Sequence, residues 1–199
     1  MRRVVVLALL ALALPIAAWA DQITIINQFG NLSVSNAGVS TMKSELKSFN
    51  SLTAPGGHVL GTVSFSTGAL ISGSLAAGGA FAGGGSFIVM GNGNFGSQKG
   101  MIFNGSFVGP VTWTLTSAPG VKNLTYQLSG TIAGMYDGHW VTGTTTQNIF
   151  TVNGQLTQGI GHIRAGSTTL TVPEPGTLGL LGTGLVGIAG MFRRKLIGT

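Results

Sequence analysis

The chain contains no cysteine and only four acidic side chains in 199 residues: Asp21, Glu45, Asp137 and Glu174. Without cysteine there is no disulfide framework, so stability has to come from an apolar core alone. The shortage of carboxylates weighs against acid/base and metal chemistry. A two-carboxylate glycosidase would have to combine Asp21 or Glu45 with Asp137. Calcium loops need clustered aspartates, and the loops here offer asparagine instead. The three histidines, His58, His139 and His162, lie far apart in sequence, so they form no metal-ligand spacing. No G-x-S-x-G elbow occurs. These absences predict a chain that is not an enzyme, with no catalytic residues, no metal and no cofactor.

Positive charge is more plentiful but sits at the ends. The formal net charge is +6, yet Arg2, Arg3, Arg193, Arg194 and Lys195 supply half of the ten basic residues. Between the ends, Lys43, Lys47, Lys99, Lys122 and Arg164 stand against Asp21, Glu45 and Asp137, a balance of +2. No basic stripe remains to neutralise phosphates, so nucleic acid is not an expected partner.

What the chain does have is two export-type ends. Arg2 and Arg3 precede an apolar run from Val4 to Leu14, and Pro15 breaks it. Ala18-Trp19-Ala20 then supplies a small-x-small cleavage pattern. Residues 1–20 read as a signal peptide for Sec-type export, cut after Ala20. At the other end, Pro173-Glu174-Pro175 precedes 17 uncharged residues from Gly176 to Phe192, followed by Arg193-Arg194-Lys195. At 1.5 Å per residue that run reaches about 26 Å, a short transmembrane helix. The basic cluster acts as a stop signal on the cytoplasmic side. Both ends place the segment between them outside the membrane.

The tail closely resembles the PEP-CTERM sorting signal of bacterial exported proteins, a tail also called an ice-binding-protein C-terminal motif. The likeness rests on Val172-Pro173-Glu174-Pro175, Thr177, the Leu/Gly-rich span and Arg193-Arg194-Lys195. It implies an exosortase as partner, processing near Pro173-Glu174-Pro175, and delivery to the cell surface or the extracellular matrix after transient membrane anchoring.

Residues 21–171 read as one extracytoplasmic β-domain rich in Gly and Thr. Val111, Trp113 and Leu115 alternate with Thr112, Thr114 and Thr116. Leu124, Tyr126 and Leu128, and likewise Thr168, Leu170 and Val172, repeat the pattern. Strands are expected near 23–27, 60–66, 69–75, 80–90, 100–108, 111–117, 122–134, 139–151 and 160–171. Asp137-Gly138 and Asn153-Gly154 are hairpin turns. The expected fold is all-β, an antiparallel sandwich or barrel of about eight or nine strands. One short helix is expected over Met42 to Phe49, where Met42, Leu46 and Phe49 fall on one helical face and Thr41 can cap it. Gly91 to Gly96 matches G-x-G-x-x-G, but no amphipathic helix follows to hold a phosphate, so a hairpin loop is the better reading.

The candidate ligand site is the turn bearing Tyr136, Asp137, His139 and Trp140, where aromatic faces and polar neighbours could hold a sugar. The bland reading is a hairpin flanked by core Trp140 and rim Tyr136. The row Thr142, Thr144, Thr146 is either an ordered binding face or the wet side of a strand. The sequence therefore points to an exported structural or adhesive surface protein. A polysaccharide- or ice-binding module is the alternative, and an uncharacterised hydrolase the third reading.

Overall fold

Period-two alternation runs through nearly the whole body in the computed structural model, which describes residues 21–117, 123–151 and 159–172. The predicted signal segment with Ala18 and Ala20, the motif Pro173-Glu174-Pro175, the apolar span 176–192, the Arg193-Arg194-Lys195 cluster and the Asn153-Gly154 turn lie outside the described residues. Among the described residues every regular element is a strand. In order they are β1 (Asp21–Gln28), β2 (Asn31–Ser35), β3 (Gly38–Phe49), β4 (Leu52–Thr53), β5 (Gly61–Ser66), β6 (Leu70–Ser74), β7 (Gly78–Phe81), β8 (Gly84–Asn92), β9 (Lys99–Phe107), β10 (Val111–Leu115), β11 (Thr125–Tyr136), β12 (His139–Phe150) and β13 (Gly159–Val172).

The sheet closes on itself. β1 and β2 run end to end and lie between β3 and β13. From there the pairing passes through β3, β5, β8, β9, β11 and β12 and returns to β13. This is an eight-stranded, up-and-down antiparallel barrel, because each barrel strand pairs with the next barrel strand along the chain, β4, β6, β7 and β10 standing outside the ring. It decides the question of sandwich or barrel.

The expected helix over Met42 to Phe49 does not form; that segment is the second half of β3. A bulge explains the misleading pattern. The β3–β5 register shifts between Thr41 and Ser44, and Lys43 takes a left-handed φ of 70°. Val39 and Thr41 are buried before the bulge, and Ser44 and Leu46 after it. One inserted residue breaks the period of two, and the broken pattern imitates a period near 3.6.

Eight strands leave a lumen that side chains fill. Phe65, Phe87, Phe103 and Phe107 meet in its centre, with Phe87 within 6.1 Å, centroid to centroid, of each of the other three rings. Ile25, Leu32, Val63, Val89, Ile132, Val141 and Leu170 complete this core. A neutral polar cluster is buried beside it. The Asn27 and Gln147 amides bond each other in both directions at 2.9 and 3.2 Å. Asn27 Nδ2 also donates to Ser44 Oγ, Gln147 Nε2 donates to Thr145 Oγ1, and Thr168 Oγ1 donates to Thr145 Oγ1. The closed network satisfies groups that would otherwise be costly to bury.

Three strands continue past the barrel. β5 leads into β6, β7 into β8, and β9 into β10, each through a sharp corner. Gly68 and Gly83 stand at two of these corners; a Cβ on Gly68 would lie 2.8 Å from the Ala82 Cβ. Beyond the corners, β6, β7 and β10 extend the sheet from the first half of β11. Trp113 stacks on Tyr126 at 4.7 Å in this extension, and its indole N–H donates to the Leu75 carbonyl at 2.9 Å.

Candidate functional site

The β11–β12 hairpin forms as expected. Asp137 (φ 46°) and Gly138 (φ 77°) are both left-handed, as a type I′ two-residue turn requires. Met135 pairs with Trp140, and Tyr136 with His139. Because side chains alternate between faces, the structure divides the four candidate residues. Tyr136 packs against the core at the barrel mouth, its ring 6.2 Å from that of Phe49. His139 is exposed opposite it. Trp140 faces outward with Met135 and is 62% exposed, so it is not the core residue of the bland reading. Trp140 and Tyr136 therefore do not line one cradle.

The remaining titratable groups are also dispersed. Glu45 lies 2.7 Å from the Lys47 ammonium. His58 packs on Phe95 and His162 on Phe150, with ring centroids 5.0 and 5.6 Å apart. Among the described residues no group of three or more His, Asp or Glu side chains could hold a metal ion.

The threonine row belongs to something larger than one strand. Thr142, Thr144 and Thr146 all point away from the lumen, while Val141, Thr145 and Gln147 point in. The register sets Thr112, Ser129, Thr146 and Ser167 side by side on β10, β11, β12 and β13. Thr131, Thr144 and Thr169 form the next row, and Ala133, Thr142 and Thr171 the one after. Strand geometry spaces these groups by about 4.8 Å across strands and about 6.8 Å along them. Ser129 and Thr146 share a hydrogen bond at 3.3 Å. Thr112, Thr131, Thr142, Thr144 and Ser167 are exposed. The result is an uncharged lattice of hydroxyl and methyl groups. Sequence reading found one row of it; the neighbouring rows come from strands distant in the chain.

Gly91 lies near the end of β8, and the loop bearing Gly93 and Gly96 connects β8 to β9 as a hairpin. Asn92 accepts from the Asn94 amide and from the Ser97 hydroxyl, which closes the loop on its own side chains. No helix follows it, so the phosphate reading has no support from this geometry.

β13 ends at Val172. No curated protein and no solved structure matches the chain. Residues 171–195 match the PEP-CTERM protein-sorting motif, which implies export, recognition by an exosortase and sorting to the cell surface. The chain thus carries a PEP-CTERM sorting motif at residues 171–195, following a body that is a closed β-barrel.

Proposed function

We propose that the barrel is a non-enzymatic structural or adhesive domain, displayed at the cell surface or in the extracellular polymer matrix, and that it holds polysaccharide on its hydroxyl face. The observation that carries this reading is the uncharged Thr/Ser lattice across β10, β11, β12 and β13. Each hydroxyl both donates and accepts, which matches the hydroxyl rows of a sugar polymer. Many weak contacts on one chain act together through effective concentration. The twist of barrel strands favours a flexible polymer, which can follow a curved face, over a planar ice surface.

A Thr112→Glu/Thr144→Glu variant tests the reading, since these two positions are not register partners. Carboxylates on two exposed, outward positions should reduce retention on the cells' own matrix polysaccharide about tenfold, or about 1.4 kcal/mol. The melting temperature should hold, because neither side chain packs in the core. Equal retention of variant and parent would overturn the adhesive face. Loss in Trp140→Ala alone would move the site to the hairpin, and ice-recrystallisation inhibition by the parent would favour the ice reading.

A further inference from the structure

Both open ends of the barrel domain leave it at the same mouth. β1 starts beyond the Ile25–Phe49 pair, and Phe49 packs on Tyr136. Thr171 sits opposite Thr142, so Val172 leaves the sheet beside Val141 and Trp140. The same mouth carries the β8–β9 loop and the β11–β12 hairpin.

Exposed apolar side chains gather at this mouth. Trp140 is 62% exposed, Met101 52% and Met135 43%, with Met90 and Phe95 also open. Met90 is the register partner of Met101, and Met135 of Trp140, so the residues form pairs on the outer face rather than isolated exposures. Asp137 lies in the β11–β12 turn, Glu45 shares a row with Thr62 and Met90, and Lys99 begins β9 on the same side.

Only Pro173-Glu174-Pro175 separates Val172 from the uncharged run that starts at Gly176. Three residues reach at most about 10 Å when fully extended. Where residues 176–192 span the bilayer, so short a tether keeps this mouth near the lipid headgroups. Trp belongs at that depth, with its apolar body and polar tip, and methionine adapts to an irregular apolar surface.

We propose that Met90, Phe95, Met101, Met135 and Trp140 form a bilayer-contacting surface that seats the barrel on the outer leaflet-facing side of the membrane until the tail is processed. The orientation rests on reading residues 176–192 as a membrane span; the contact itself is a property of the barrel. Seating would hold Pro173-Glu174-Pro175 at one height above the bilayer, where a membrane-embedded enzyme can reach it.

The absence of cysteine makes the test direct. Single substitutions Met135→Cys, Trp140→Cys, Thr144→Cys and Leu185→Cys in the full chain would each carry an environment-sensitive fluorophore. The labelled chains are reconstituted into vesicles of phosphatidylethanolamine and phosphatidylglycerol that contain nitroxide lipids. Labels at 135 and 140 should lose about half or more of their emission to headgroup-level nitroxide, as an interfacial position requires, while the label at 144 is unaffected. The label at 185 should respond to deep nitroxide. If 185 responds and 135 and 140 do not, the seating is overturned and the anchor stands. If 135 and 140 respond and 185 does not, the anchor reading fails and the surface contact is upheld. Emission changes at 135 and 140 that depend on protein concentration without nitroxide quenching would mean a second copy covers the patch, and would overturn the proposal.

Discussion

Asn27 and Gln147 show how much one buried residue can decide. Their amides close a reciprocal pair inside the barrel, and Thr145, Thr168 and Ser44 take up the remaining valences. A Cβ on Gly166 would collide with both amide oxygens, so the glycine opens the space they occupy. Removing Gln147 leaves the buried Asn27 amide oxygen without its donor. Gln147→Leu should cost about 2–3 kcal/mol, seen as a lower urea midpoint. An unchanged midpoint would show that the network relaxes without loss. Phe87 works by packing instead. It touches three other phenylalanine rings in the lumen, and Phe87→Ala should cost about 3–5 kcal/mol through the cavity it leaves.

At the scale of elements, turns and bulges set where each strand's inward face begins. The Asp137-Gly138 turn is left-handed at both residues, and nothing lies within 4 Å of a Cβ built on Gly138. Gly138→Ala therefore carries backbone strain without a clash, and should cost about 1–2 kcal/mol in thermal unfolding. A neutral result would mean that the hairpin changes turn type. The start of β11 was legible from alternation, because Leu124, Tyr126 and Leu128 are buried between Thr125, Gln127 and Ser129, whereas β12 turns Thr145 and Gln147 inward and was legible from the Asp-Gly turn that precedes it. β3 was not legible, and its reason is local. The Met42-Lys43 bulge inserts a residue between two correctly alternating halves, and a one-residue insertion erases the signal that alternation carries. β2 was missed for a related reason. Phe29 and Gly30, both at positive φ, split a single long strand position into the two short pieces β1 and β2.

For the whole molecule, the sorting motif and the barrel act in series: the first determines handling, the second what is displayed. Replacing Pro173, Glu174 and Pro175 by alanine should leave a chain that exosortase does not process and that stays with the membrane fraction, checked by intact mass and fractionation. Normal release of that variant would count against exosortase handling of this tail. The same substitution should leave the thermal stability of the barrel unchanged, since the core closes within residues 22–172.

The sequence by itself determined the class of fold, the positions of most strands and the sorting motif. These are local properties: alternation, turn chemistry and a contiguous tail are each written within a few neighbouring residues. Closure of the barrel was decided only by the tertiary structure, because it depends on β13 meeting β1 and β2 across more than a hundred residues. The same holds for the hydroxyl lattice, for the amide pair of Asn27 with Gln147, and for the separation of Trp140 from Tyr136. Each follows from which strands lie side by side and in what register, and register is fixed by the packing of the whole sheet rather than by any one segment.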